Sequence, residues 1–263
     1  MAEELRDIAP LRPLLEHRPL ALLSDIDGTI APIVPLPDDS AVTPRAREAI
    51  LRLIDGGVRV AFVTGRPLET ARRMVGIEEA YYATNHGLDV WAPGVGRETP
   101  VEVRPYVHWA RDVLREIGGI DAEGVVIEDK GAILAFHYRM APDAEVALTA
   151  IKSAILRSEA SEHFAVQEGR KVYELRPPLL INKGTAAQML VTRMGAASVL
   201  TMGDDITDFE MFEGVRTLGL PHAVVGVWNA EEPEVAERAD YFVHGVVGVE
   251  WMLGELVRIV NSE

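Results

Sequence analysis

An α/β fold built on a parallel sheet, with a smaller α+β domain inserted into it, is what this sequence predicts, and three observations predict it. Short apolar runs alternate with helical patterns from Leu20 to about Thr84, the rhythm of βαβ units. Between about Val101 and Arg176 the order changes to helix, strand, strand, repeated twice, which is a hairpin pattern and not a crossover one. After Pro177-Pro178 the βα rhythm resumes. The chain therefore reads as a discontinuous first domain, residues 1–100 and 178–263, interrupted by a second at 101–177.

Leu20-Ala21-Leu22-Leu23 is a continuous apolar run, as expected of a strand buried on both faces. A turn-rich stretch with Pro32, Pro35 and Pro37 follows. Pro44 to Asp55 predicts a helix stopped by Gly56-Gly57, and Val58 to Val63 a second strand. Pro67 is placed to open a second helix, and Ala80 to Thr84 reads as a third strand. In the insert, Tyr106–Ile117 and Asp143–Leu156 read as helices. Its strands are expected at Val125–Lys130, Ile133–Arg139, His163–Gln167 and Lys171–Arg176. Beyond it come a helix from Gly184 to Met194, a strand from Ser198 to Met202 and a helix near Asp208–Glu213.

Composition sets limits on function. The 263 residues are 48% hydrophobic and 25% charged, enough for a substantial core. A formal net charge of −15 argues against nucleic acid as a partner, because phosphate backbones need a basic surface. Any phosphate this protein holds must meet locally concentrated positive groups or a metal ion. The absence of cysteine excludes disulfides, thiolate metal sites and thiol nucleophiles. The stretch Met1 to Asp7 is acidic and lacks the apolar region of a signal peptide, and no run approaches the roughly 18–20 apolar residues of a membrane span. The expectation is a soluble, cytoplasmic monomer without membrane or nucleic-acid partners.

Four segments carry chemistry. Asp25 and Asp27 follow the first strand, at the sheet edge where open α/β folds bind ligands. Asp27-Gly28 is equally a common turn dipeptide. An EF-hand calcium loop is set aside, because the twelfth position from Asp25 is Leu36, where a bidentate Glu is required. Thr64-Gly65-Arg66 ends the second strand and could cradle an anion at a helix start, or simply start that helix. Lys183 stands at the beginning of a helix, where a cation is unfavourable by a few tenths to about 1 kcal/mol, which hints at a nearby anion. Gly203-Asp204-Asp205-Ile206-Thr207-Asp208 follows another strand; its carboxylates form a hard oxygen site for magnesium or a capped, solvated acidic loop. All four segments fall at the carboxyl ends of predicted parallel strands or adjoining helix starts. Together they supply carboxylates for a cation, an anion-binding turn and a lysine, a set suited to phosphoryl transfer.

Within the insert, strand alternation places Glu128 with Lys130, His137 with Arg139, and Glu174 with Arg176 on charged faces. Val125, Ile127, Leu134, Phe136, Tyr138, Tyr173 and Leu175 take the opposite, apolar faces. Such a charged face is an ordinary solvated sheet surface, or a reader of a polyhydroxylated sugar.

Asp-x-Asp-Gly-Thr, Thr-Gly-Arg, Lys and Gly-Asp-Asp-x-x-Asp, in that order, resemble the four motifs of the haloacid dehalogenase superfamily of phosphatases. Asn85-His86-Gly87, Glu128-Asp129-Lys130, His137-Tyr138-Arg139, Glu174-Leu175-Arg176-Pro177 and Asn182-Lys183-Gly184 further resemble the trehalose-6-phosphate phosphatase family. The resemblance covers roughly Leu22 to Phe212. Departures are Asp208-Phe209-Glu210 where Asp-Glu-Asp is usual, and Thr64 where Ser is common.

The resemblance implies a Rossmann-like core with a C2B-like cap and magnesium as cofactor. It implies hydrolysis of trehalose 6-phosphate with Asp25 as nucleophile, Asp27 as general acid and base, and Lys183 as charge partner. Magnesium would be held by Asp25, Asp27 (through its carbonyl) and Asp204, supported by Asp205 and Asp208. Thr64, Gly65, Arg66 and Asn85 would bind substrate in the core, and Glu128, Lys130, Arg139 and Glu174 in the cap. Another sugar phosphate, such as sucrose phosphate or glucosylglycerate phosphate, is the nearest rival substrate. A non-catalytic metal-binding module is the rival from a different class.

Overall fold

Ordered by the apolar run at Leu20, the main sheet grows outward on both sides of one fully buried strand. The computed structural model describes residues 2–34, 39–169, 171–230 and 234–261, less the side chain of Ala236. Pro35 and Pro37 of the expected turn-rich stretch lie outside the described residues. The chain runs through β1 (Glu3–Glu4), α1 (Arg12–Leu15), β2 (Leu20–Ser24), α2 (Pro44–Asp55), β3 (Arg59–Val63), α3 (Leu68–Val75), β4 (Tyr81–Thr84), β5 (Asp89–Ala92) and β6 (Gly96–Glu98). Next come α4 (Arg104–Ile117), β7 (Val126–Asp129), β8 (Leu134–His137), α5 (Ala144–Ile155), β9 (Ala165–Gly169) and β10 (Val172–Arg176). The last part holds α6 (Lys183–Met194), β11 (Ser198–Gly203), α7 (Asp208–Arg216), β12 (His222–Trp228), α8 (Glu234–Glu237), β13 (Tyr241–His244) and α9 (Gly245–Val260). Two compact units result: residues up to Glu98 with those from Ile181 onward, and Thr99–Leu180.

The first unit carries a nine-stranded sheet in the order β1-β13-β12-β11-β2-β3-β4-β5-β6. It is parallel from β1 to β4 and closes with an antiparallel hairpin, β5–β6. From β2 the chain proceeds to β3 on one side, and from the insert it returns into β11 on the other. The boundary between β2 and β11 is therefore a topological switch point, where loops diverge and leave a crevice at the carboxyl ends. Asp25 and Asp204 emerge there.

Alternation along β2 assigns its side chains to two layers. Leu22 belongs to the layer that also holds Ile50 and Leu53 of α2 and Leu253 and Leu256 of α9. Leu23 faces Ala187 and Leu190 of α6 and Phe212 of α7. Each fully buried leucine contributes about 1.5–3 kcal/mol, so the central strand is fixed from both sides. Thr43 starts α2 by accepting a hydrogen bond from the Ala46 amide at 3.2 Å.

The second unit is a four-stranded antiparallel sheet, β7-β8-β10-β9, with α4 and α5 supplying the cover of one face. Leu134, Phe136, Tyr173 and Leu175 pack there with Val113, Ile117, Ile151 and Ala154. In register, Glu128 and Glu174 both lie opposite Ala135, on the other face.

Several expected boundaries shift by one or two residues, as at α4 and β8, and three differences have a local physical reason. Pro67 is the extended N-cap of α3 (φ −62°, ψ 152°), so the helix begins one residue later. The strand expected from His163 starts at Ala165, because Ser161 closes a turn by donating to the carbonyls of Ile155 and Ser158. The hairpin β5–β6 was not anticipated. Its strands are too short for a periodic signal, and its partly exposed Arg97 is held by a buried Asp89.

Candidate active site

The backbone leaving β2 stays tied to β11, with the Asp25 amide donating to the Met202 carbonyl at 3.1 Å. Asp25 is thereby presented at the switch point and is only 5% exposed. A tight turn follows, in which the Ile30 and Ala31 amides both donate to the Ile26 carbonyl. Gly28 is required in it twice over. Its φ is +74°, and a Cβ there would lie 1.8 Å from Asp204 Oδ2. The close approach lets Thr29 donate from Oγ1 to Asp204 Oδ1 at 3.0 Å.

Lys183 is the first residue of α6, behind a capping box formed by Asn182 and Thr185. The anion that its awkward position called for is present. Its Nζ donates to Asp208 Oδ1 at 2.7 Å and lies 3.2 Å from Asp25 Oδ1. Asp208, fully buried at the start of α7, uses Oδ2 to accept from the amides of Asp204 and Asp205, both at 3.0 Å. Gly203 makes room, since a Cβ there would sit 2.4 Å from Asp208 Cγ. Asn229 donates from Nδ2 to the Asp204 carbonyl at 3.1 Å.

Asp25, Asp204 and Asp208 bring carboxylate oxygens within 4.8 Å of one another, and among the described residues the cation paired with Asp25 and Asp208 is Lys183. Burial pushes the Asp25 carboxyl up from 3.8 to about 7; Lys183 opposes the shift, while Asp208 and Asp27 reinforce it. Burial likewise pushes Asp204 up to about 8, with Asp25 and Asp208 adding repulsion. Burial alone would lower Lys183, but Asp208 and Asp25 outweigh it and raise its pKa. A clustered, under-neutralised set of hard oxygens fits a divalent cation. These three carboxylates could hold a metal ion, with Asp208 already committed to Lys183 and two amides. Asp205 lies outside this group; its Oδ1 accepts from the Thr207 amide at 2.7 Å.

The Asp27 side chain is also outside it. Arg66 donates to Asp27 from Nε (2.5 Å to Oδ2) and Nη2 (2.7 Å to Oδ1), and Ser40 Oγ donates to Oδ1 at 3.0 Å. Arg66 was expected on the substrate; the structure puts its fork on a carboxylate. Thr64 is buried, and its Oγ1 accepts from the Arg66 amide at 3.2 Å. A Cβ on Gly65 would meet the His86 ring at 2.8 Å. Asn85 (φ +50°) and His86 (φ +59°) form a left-handed turn whose amides donate to the carbonyls of Arg66 and Thr64. Such backbone strain is concentrated at functional sites.

In the second unit, Lys130 Nζ lies 3.1 Å from Glu174 Oε1 and 3.7 Å from Glu128 Oε2. His137 Nε2 is 2.9 Å from the same Glu128 oxygen. Arg139 is exposed, past the end of β8. Ser40 and Asn229 escaped the sequence reading, and neither has a local signal; Thr29 was visible in its motif but not as a partner of Asp204.

Comparison with known proteins adds independent findings. The family model for trehalose-phosphatase matches residues 23–246. A protein of Sinorhizobium fredii named probable trehalose-phosphate phosphatase is 33% identical over 202 residues, covering 76% of this chain and 75% of its own. A Mycobacterium tuberculosis protein named uncharacterized glycosyl hydrolase is 31% identical over 232 residues, 83% of this chain. The chain spans only 17% of that relative and 53% of a trehalose-phosphate phosphatase from Mycolicibacterium paratuberculosis. The crystal structure of Aspergillus fumigatus trehalose-6-phosphate phosphatase superposes with a TM-score of 0.68 at 25% identity, covering all of both chains.

Proposed function

This chain belongs to the trehalose-phosphatase family, and from that premise we propose that it is a magnesium-dependent phosphatase hydrolysing trehalose 6-phosphate to trehalose and phosphate. The observation that carries the reading is the buried Asp25–Lys183–Asp208–Asp204 cluster at the switch point of the sheet.

Asp25 is the nucleophile. Its carboxylate oxygen bonds to phosphorus as the bond from phosphorus to the sugar oxygen breaks, and Asp27 gives its proton to that oxygen. Asp27 then takes a proton from water as the water oxygen bonds to phosphorus and the Asp25–phosphorus bond breaks. Asp25 and Asp204, with the Asp27 carbonyl, would hold magnesium, whose charge offsets that of the phosphoryl oxygens. Lys183 lowers the barrier to an anion approaching Asp25, and Asp208 holds Lys183 in place. Thr64, Gly65 and Asn85 lie on the turns beside this centre and receive the phosphoryl end. In the cap, Glu128, Lys130 and Glu174 offer donors and acceptors together on one face, as a sugar requires, and Arg139, exposed past the end of β8, is proposed as a further substrate contact. The protein acts as a cytoplasmic monomer, which a sizing column and cell fractionation test. Among the described residues no helix is long and apolar enough to cross a membrane.

Phosphate release from trehalose, sucrose and glucosylglycerate phosphates, with and without magnesium, tests the reading. Magnesium-dependent release, fastest from trehalose 6-phosphate, is expected. Release from none of them overturns the enzyme reading, and a clear preference for another member overturns the substrate.

A further inference from the structure

The Asp27 carboxylate has three protein donors aimed at it. Arg66 approaches side-on, with Nε at 2.5 Å from Oδ2 and Nη2 at 2.7 Å from Oδ1, the two-point geometry that fixes a carboxylate in plane as well as in place. Ser40 Oγ reaches Oδ1 from a separate segment at 3.0 Å. Both holders are themselves held. The Arg66 amide donates to Thr64 Oγ1, its carbonyl accepts from the Asn85 amide, and its side chain is only 16% exposed. Ser40 is 6% exposed. A surface arginine paired by chance would have none of these restraints.

We propose that Arg66 and Ser40 are positioning residues that hold the Asp27 carboxyl where it exchanges protons with the ester oxygen and the attacking water, so that Arg66 serves the acid–base residue and not the phosphoryl group. The inference rests on the phosphatase reading above. In the first step the Asp27 proton moves to the departing ester oxygen as the Asp25–phosphorus bond forms. A sugar alkoxide is a poor leaving group and depends on that proton. A nitrophenolate leaves readily without it. Positioning of Asp27 therefore matters for one leaving group and hardly for the other, whereas a phosphate-binding arginine matters equally for both.

The experiment compares kcat/KM for trehalose 6-phosphate and p-nitrophenyl phosphate, each with magnesium, in wild type, Arg66→Lys and Ser40→Ala. Misplacing a general acid forfeits a good part of its roughly 10²–10⁴-fold effect. Arg66→Lys is expected to lose at least about tenfold more on the sugar ester than on the nitrophenyl ester. Ser40→Ala, which removes one donor of three, should show the same bias at smaller size. Adding Arg66→Lys to Asp27→Asn should cause little further loss on the sugar ester, since the group to be positioned is gone. Equal losses on both esters, or full additivity with Asp27→Asn, overturn the proposal. If Arg66→Lys does not fold, an unbiased Ser40→Ala overturns it by itself. Wild-type protein that releases phosphate from neither ester refutes the phosphatase reading and the positioning role together; an active wild type with unbiased variants refutes the positioning role alone.

Discussion

Replacing Asp208 by alanine or asparagine probes the organisation of the centre most sharply. Asp208 is fully buried and serves two sets of donors: Lys183 Nζ on Oδ1, and the amides of Asp204 and Asp205 on Oδ2. Removing one partner of a buried ion pair costs about 3–5 kcal/mol. Orphaning two buried amides adds up to about 1–3 kcal/mol each, although a water entering the vacated volume recovers part of it. Against this, Asp25 and Asp204 lose a like charge that now raises both their pKa values. The terms overlap, and a net loss of about 3–5 kcal/mol is expected for Asp208→Ala. At about 2–4 °C per kcal/mol for a unit of this size, that lowers the first unit's melting temperature by about 6–20 °C. Asparagine has the right shape but one acceptor oxygen, so its NH2 must face either Lys183 or the two amides. Asp208→Asn should therefore be destabilised in the same range, despite being isosteric. Calorimetry on metal-free protein, with the second unit's transition as internal reference, measures both. An asparagine variant melting within about 2 °C of wild type would refute the two-sided role derived for this carboxylate.

Two further predictions concern the buried carboxylates of the first unit and Glu128 of the second. Asp25 and Asp204 have folded-state pKa values raised to about 7 and about 8 from 3.8, so their stabilising contribution is complete below about pH 4 and disappears as pH rises through 7–8. A metal ion needs them ionised, so the rise in melting temperature caused by magnesium should grow from about pH 5.5 to about pH 8.5; a pH-independent rise contradicts this. On the cap, Glu128→Gln should cut kcat/KM on trehalose 6-phosphate about tenfold, the worth of one charged hydrogen bond, while changing p-nitrophenyl phosphate hydrolysis less than about twofold. Equal losses would show that Glu128 does not read the sugar.

What the sequence disclosed and what it withheld divide along a physical line. Asp25 and Asp204 were legible because a buried parallel strand is an unbroken apolar run, and its end is where a polar residue becomes conspicuous. Lys183 was legible because a cation at a helix start conflicts with the helix dipole, and Asp208 and Asp25 turned out to be the reason it is there. The two faces of the second unit's sheet followed from period-two alternation: Phe136, Tyr173 and Leu175 went to its core, and Glu128, Lys130 and Glu174 to the other face. Partnerships across the chain were not legible. Arg66 sits in an anion-binding motif, and nothing in its neighbourhood tells that its guanidinium meets Asp27, thirty-nine residues away. Ser40 follows a proline-rich stretch that reads only as a turn. The β5–β6 hairpin stayed hidden because three- and four-residue strands carry too little periodicity to stand out.

The central claim, that Asp25 is the nucleophile of a magnesium-dependent phosphatase, is tested most directly by acid-quenching the wild type and Asp25→Asn during turnover of trehalose 6-phosphate, and locating any phosphoryl group by mass spectrometry. A phosphoryl adduct on Asp25 is expected in the wild type. Asp25→Asn is expected to give no adduct and no phosphate release, with an unchanged circular dichroism spectrum. An Asp25→Asn protein that still turns over at more than a few per cent of the wild-type rate, or an adduct on another residue, would contradict the central claim.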